Sequence, residues 1–310
     1  MTRAPDATRV RSHWVLQGLL YLTWASTWPV GKAALRAWTP LGLIAVRHFL
    51  AGGALLLACA WGKRAALPLL VVAAVGALQY FAYYFLSYVA LVRLDSGMVA
   101  LVSGAYPVFV ALLATRGAAG RGPSGGEWFA LAAVIAGGLL VAWSADAALL
   151  HGPAAASPGA YLAAFLGAVC LAIATQLSAR VFPADASFAD VGRFVGATML
   201  VGAVVALLGS WVTGDPWLSG RLSGSAVLSV GYLSLFGSIG VFLTHTALLR
   251  SEAAWRVAAG YPLVPVFSLV LGALALGERP SLGALPGIVL LFAGLVTLTV
   301  MASRERARGG

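Results

Sequence analysis

PVFVALLATRGAAGRGPSGGEWFALAAVIAG, residues 107–137, returns in altered form as PVFSLVLGALALGERPSLGALPGIVLLFAG, residues 265–294. Pro107-Val108-Phe109 aligns with Pro265-Val266-Phe267, Pro123-Ser124 with Pro280-Ser281, and Gly137 with Gly294. Just upstream, Ala90-Leu91-Val92-Arg93 aligns with Ala247-Leu248-Leu249-Arg250. In chain order the offsets are 157, 158, 157 and 157, so one residue gained before Pro265 and one lost before Pro280 account for the departure. Apolar segments resemble each other by chance. A constant offset across four landmarks, two of them prolines, does not arise that way. The chain is a duplication.

What is duplicated is membrane-like. Of the 310 residues, 61% are hydrophobic and only 10% charged, against about 25% charged in ordinary soluble domains. A hydrocarbon layer about 30 Å thick takes about 20 apolar residues as helix. Ten such runs are expected, at about 14–31, 41–60, 68–90, 96–114, 127–144, 159–181, 190–212, 224–247, 253–276 and 282–301. In lipid every backbone polar group must be satisfied internally, which leaves helices or closed barrels. The runs are long and lack strict alternation, so a barrel is rejected. The fold class expected is an all-α membrane protein of ten transmembrane helices.

The repeats then comprise residues 14–144 and 159–301, joined by a linker at 145–158. Five spans per repeat is an odd number, so the two repeats are inverted relative to each other in the membrane. Inverted repeats are typical of secondary transporters, with the substrate site near the midplane at the repeat interface.

The net charge of +10 could suggest nucleic-acid binding, but its distribution does not. With the N-terminus inside, 13 of the 20 basic residues fall in inner segments, five in outer segments and two, Arg47 and Arg193, within spans. That is the positive-inside bias, and it makes the tails 1–13 and 302–310 cytoplasmic. The basic N-terminus before an apolar run has a signal-peptide look. The run is long, however, and no clear small-residue cleavage site precedes Lys32, so it reads as an uncleaved first span. Cys59 and Cys170 both sit in apolar runs, with no disulfide framework and no metal-binding spacing. No cofactor and no metal are expected.

The quoted residues also carry a family resemblance. LLYLTWASTWPVGKAAL (19–35) resembles the first helix of the EamA-type drug/metabolite transporters, and RHFLAGGALLL (47–57) their second-helix Arg-Phe motif. GRFVGATML (192–200) is its weaker counterpart in the second half. YVALVRLDSGMVALVSGAYPVFVALL (88–113) is similar to the passage from third to fourth helix. Residues 265–298 resemble the C-terminal Pro…Gly-Glu-Arg…Gly pattern. The resemblance covers nearly the whole chain. It implies a ten-helix exporter or exchanger of small metabolites, with a cavity lined mainly by helices 1, 3, 4, 6, 8 and 9. One departure stands out: the first repeat has Gly-Arg-Gly-Pro at 120–123 where the second has Gly-Glu-Arg-Pro at 277–280. Glu278 is therefore assigned no transport role.

Polar side chains inside a membrane are costly and tend to face the protein interior or water. The densest set lies on the third span: Gln79, Tyr80, Tyr83, Tyr84, Ser87 and Tyr88. At about 100° per residue, Gln79, Tyr80, Tyr83 and Ser87 share one sector of a helix. An amide and phenol stripe suits a small organic ligand, with faces to stack on and hydroxyls to orient it. Tyr84 and Tyr88 also fit an interfacial belt. The first span offers Trp24 and Trp28 one turn apart, then Pro29, which should kink or unwind the helix. Ser103 and Tyr106 on the fourth span, Gln176 on the sixth, Ser238 on the eighth, and Trp255 and Tyr261 on the ninth complete the candidate substrate-binding set. The repeat-related Pro107 and Pro265 would give the halves matching bends.

Arg47 could meet a substrate anion, or snorkel outward, or bond backbone carbonyls. No carboxylate lies mid-span, which leaves His245 as the candidate proton site. An intramembrane enzyme fits poorly. Ser238 and His245 lie two turns, roughly 10 Å, apart on one helix, and a nucleophile needs its base at about 3 Å. A channel would want a carbonyl filter or an acidic ring, and neither is evident. The nearly uncharged aromatic lining favours a neutral or zwitterionic substrate with an apolar part. Neutral or aromatic amino acids lead; nucleobases, amines and drug-like compounds stay open. The lipid bilayer is the other partner, and a monomer is compatible with the sequence. The Ala-, Gly- and Arg-rich composition suggests a bacterial inner membrane.

Overall fold

The computed structural model describes residues 7–60, 66–114, 123–149, 158–181, 186–250, 253–261, 263–277, 283 and 285–308. Glu278, Pro262, Pro280 and most of the 145–158 linker lie outside the described residues. The described chain is helical: α1 Ala7–Ala34, α2 Pro40–Ala58, α3 Leu69–Arg93, α4 Ser96–Ala114, α5 Gly125–Leu149, α6 Pro158–Ala179, α7 Phe188–Thr213, α8 Gly224–Leu248, α9 Ala254–Leu276 and α10 Leu285–Arg308. Among the described residues the only extended pairing is one isolated bridge, Trp38 with Leu218. Seven helices, α2, α3, α4, α6, α7, α8 and α9, are long and apolar enough to cross a membrane. Apolar stretches in α5 and α10 are shorter, Gly125–Gly137 and Leu285–Leu298. Three helices outrun the apolar runs read from sequence: α1 starts at Ala7, α5 continues to Leu149 and α10 to Arg308. Apolar length marks where lipid would end, whereas helical hydrogen bonding need not stop there.

Local chemistry sets the boundaries. Thr39 caps α2, its Oγ1 accepting from Gly42 N at 3.1 Å, and Pro40 occupies the first helical position, where no donor is needed. Ser187 and Asp190 form a reciprocal capping box on α7, which ends at Gly214 with φ 65°, the left-handed conformation glycine takes freely. Ser223 caps α8 through Ala226 N at 3.2 Å.

The helices pack crosswise. α2 lies on α7 and α5 on α10; α1 packs against α8 and α9, and α6 against α3 and α4. Glycines allow these approaches. A Cβ on Gly52 would sit 2.8 Å from Gly196 O, and one on Gly137 2.5 Å from Leu291 N. Gly192 meets Cys59 and Gly137 meets Gly287 O, further close approaches that small residues permit. Outward faces are largely apolar, with Leu57, Leu70, Leu274 and Trp211 all exposed, while Arg47, Gln79, Thr175 and Ser238 are buried.

Of the two outcomes expected at Pro29, a kink or an unwinding, unwinding does not occur; the helix runs through it. Proline removes the donor that would serve the carbonyl four residues back. That carbonyl, Ala25 O, instead accepts from Ser268 Oγ of α9 at 2.8 Å. The repeat-related prolines are accommodated differently, and alike. Ahead of Pro107 the chain tightens to a 3₁₀ turn at Ser103–Ala105, and Tyr106 N serves Ser103 O. Ahead of Pro265, Val264 N serves Tyr261 O at 2.8 Å.

Two π-helical segments, Gly76–Ala82 in α3 and Leu235–Gly240 in α8, occupy nearly corresponding places in the two repeats. Such segments are rare and tend to mark functional sites.

Candidate substrate-binding site

The inner faces of α1, α3, α4, α8 and α9 meet in a continuous aromatic cluster. Trp24 is its hub, 1% exposed. Its ring lies edge-on to Tyr261 at 5.0 Å, Phe242 at 5.7 Å and His245 at 5.7 Å, and tilted to Tyr106 at 6.3 Å. Tyr106 and Tyr261 are themselves 5.1 Å apart. Tyr106 OH sits 3.1 Å from Thr175 Oγ1 and 3.2 Å from His245 Nε2, a polar chain tying α4 to α6 and α8. One turn along α1, Trp28 is edge-on to Tyr83 at 6.4 Å, and Tyr83 is 4.9 Å from Tyr84.

The third-span stripe fans out. Tyr80 packs on His48 at 5.3 Å and Phe242 at 4.9 Å, and crowds Gly202 of α7. Tyr83 faces α1 through Trp28, whereas Ser87 faces Gly167 of α6. Gln79 and Tyr80 lie inside the π segment at Gly76–Ala82, whose i→i+5 bonding departs from the 100° progression that placed them in one sector with Tyr83. Tyr83 and Ser87 follow on regular helix, one turn apart, and meet different neighbouring helices.

Arg47 joins this core from α2. It is 1% exposed, does not snorkel and meets no acid among the described residues. Nε and Nη2 donate to Ser238 Oγ at 3.1 and 2.9 Å, and Nη2 donates to Leu233 O at 3.2 Å and Tyr84 OH at 3.4 Å. Nη1 donates to Tyr88 OH. Its Cζ lies 4.4 Å over the Tyr84 ring, a cation–π contact. Tyr84 and Tyr88 are therefore core ligands of an arginine, not an interfacial belt. The signal available in sequence was Arg47 itself: a buried guanidinium needs neutral acceptors, and the third span is the hydroxyl-rich one.

Of the other residues singled out from sequence, Ser238 is committed to Arg47 and donates to Leu233 O at 3.0 Å. Gln176 Nε2 donates to Val110 O at 2.8 Å. Trp255 is buried with the Arg256 guanidinium 5.3 Å over its ring. His245 and Ser238 engage separate partners, so no nucleophile–base pair forms between them. No group of three metal-ligating side chains occurs among the described residues. Phe242 is a core member that sequence reasoning did not weight; an apolar ring carries no distinguishing signal.

Among the described residues, Gln79 Oε1, Ser87 Oγ and Trp28 Nε1 are buried without a hydrogen-bond partner. Ser103 Oγ and Tyr261 OH, neighbours of each other, with Tyr261 also beside Tyr83, fall short of hydrogen-bond geometry. An unmet buried polar group costs about 1–3 kcal/mol. Several together among stacked rings is unusual for mere packing and offers donors and acceptors to a small polar molecule.

The EamA-like transporter family model matches residues 14–143 and again residues 158–300. The chain belongs to the EamA-like transporter family. Over 269 residues this EamA-like transporter is 30% identical to the uncharacterized inner membrane transporter YedA of Escherichia coli strain K12, covering 84% of the chain and 82% of YedA. The YedA of strain O157:H7 matches to the same extent. A protein of known crystal structure, 22% identical, shares the fold with a TM-score of 0.68 over 95% of this EamA-like transporter and 99% of the other chain.

Proposed function

We propose that this EamA-like protein is a secondary transporter of small organic metabolites, with neutral or aromatic amino acids as the substrate class and export as the direction. The observation that carries the reading is the set of buried polar atoms on Trp28, Gln79, Ser87, Ser103 and Tyr261 that lack a partner in hydrogen-bond geometry, interleaved with the rings of Trp24, Tyr83 and Tyr106. Apolar rings with a few convergent polar groups suit a ligand of amino-acid size. In this reading ten helices cross a bacterial inner membrane with both termini cytoplasmic. The inner-membrane name of the YedA relatives supports that location.

Alternating access between two inverted repeats is supported by the reciprocal packing. α1 sits on α8 and α9 of the other half, just as α6 sits on α3 and α4. The π segments at Gly76–Ala82 and Leu235–Gly240 fit the same exchange.

The test is uptake and counterflow in proteoliposomes with labelled amino acids, nucleosides and amines. Saturable counterflow of an amino acid is expected, reduced about tenfold or more by Gln79→Ala and several-fold by Tyr83→Phe. Absence of amino-acid flux, with or without a pH gradient, would remove the substrate assignment. Saturable flux of a nucleoside or amine instead would keep the transporter and change its cargo.

A further inference from the structure

Arg47 is a cation deep in the core with no carboxylate against it among the described residues. The other buried charges differ. Arg193 is ion-paired to Asp190, and Glu127 accepts from Ser124 N at 2.7 Å and Ser124 Oγ at 2.9 Å at the start of α5. The acceptors around Arg47 are all neutral: two phenols, a serine hydroxyl and a backbone carbonyl. They satisfy its N–H groups and leave its net charge in place. Three rings lead from that charge to the partnerless atoms. Arg47 stacks on Tyr84, Tyr84 lies 4.9 Å from Tyr83, and Tyr83 lies 6.4 Å from Trp28, whose Nε1 has no acceptor.

Resting on the transporter reading, we infer that Arg47 selects the charge of the cargo: the substrate carries a carboxylate or equivalent anion on its polar end, and organic cations without one are rejected. At an effective dielectric of about 20, a unit charge about 10 Å away shifts a binding ratio by roughly tenfold. Attraction of an anion and repulsion of a cation together separate the two by roughly a hundredfold. An amino acid fits because its carboxylate takes the side of Arg47, while its ammonium can lie on aromatic faces such as Trp28 and Tyr83. Its decarboxylated amine keeps only the disfavoured group.

The decisive set is phenylalanine, phenethylamine and 3-phenylpropionate, with leucine, isoamylamine and 4-methylvalerate as an aliphatic series. Each is scored by thermal stabilisation of the purified protein and by flux in proteoliposomes. In the wild-type protein the amino acids and carboxylates stabilise and move, and the amines do so at least about tenfold more weakly. Arg47→Gln collapses that preference toward unity; Arg47→Lys keeps most of it despite losing the planar fork. An amine matching its amino acid in the wild-type protein overturns the inference and needs no folded variant to do so. A preference that survives in Arg47→Gln overturns it too, assigning Arg47 to structure alone. Flux without charge preference leaves the transporter reading intact while sinking this one. Absence of both binding and flux for every compound sinks both.

Discussion

Ser268 shows how one side chain can stand in for a missing backbone donor. Ala25 O would be an orphan behind Pro29, and Ser268 Oγ serves it across α1 and α9. Interhelical hydrogen bonds in membrane proteins contribute about 0.6 kcal/mol on average, but a carbonyl left unmet costs about 1–3 kcal/mol. Ser268→Ala is therefore expected to destabilise the purified protein by about 1 kcal/mol. Pro29→Ala supplies the N–H that Ala25 O lacks, so in that background Ser268→Ala should cost little. Thermal unfolding of the two single variants and the double variant measures the coupling; strictly additive effects would dispose of this account. The same pair marks a limit of sequence reading. Proline's missing donor is legible at position 29, but the hydroxyl that replaces it lies more than two hundred residues away, and nothing local distinguishes Ser268 from any other apolar-run serine.

Among the elements, the helices were legible and their faces only partly so. Length and apolarity place α2 through α4 and α6 through α9 because a hydrophobic layer imposes both. Side-chain direction depends on the helical period, and here it changes: the π segment at Gly76–Ala82 sends Tyr80 toward His48 and Tyr83 toward Trp28, where a constant period put them together. Tyr84 and Tyr88 read as belt residues because phenols at helix ends usually are; only their partner, Arg47, reveals otherwise. Glycine contacts make a sharper test of element packing. Gly52 and Gly53 are neighbours on α2, yet a Cβ on Gly52 meets Gly196 O at 2.8 Å, whereas one on Gly53 meets nothing within 4 Å. Overpacking a tight contact costs typically about 1–3 kcal/mol, and replacing a free helical glycine by alanine gains up to about 1 kcal/mol. Gly52→Ala should lower the melting temperature and Gly53→Ala should hold or raise it. Equal effects at the two positions would mean that the α2–α7 contact is looser than described.

At the scale of the whole molecule, a transporter must close one side without closing it for good. The end of α1 and the start of α4 are joined by Lys32 and Asp95, Nζ to Oδ1 at 2.6 Å, with side chains 26% and 44% exposed. In the proposed topology this link lies on the outer side, above Trp28 and Tyr83. Exposed ion pairs contribute typically less than about 1 kcal/mol. A latch of that kind favours closure while leaving it easy to reverse, as each cycle requires. Holding it shut covalently should stop transport. With Cys59 and Cys170 replaced by alanine, Lys32→Cys and Asp95→Cys joined by a short cleavable bismaleimide should abolish counterflow, and cleaving the linker should restore it. The uncrosslinked double-cysteine protein should transport within a few-fold of the cysteine-free parent, because the native pair holds so little free energy. Full counterflow through the crosslinked protein would show that α1 and α4 do not separate during the cycle, and the outer path would then have to open elsewhere in the bundle.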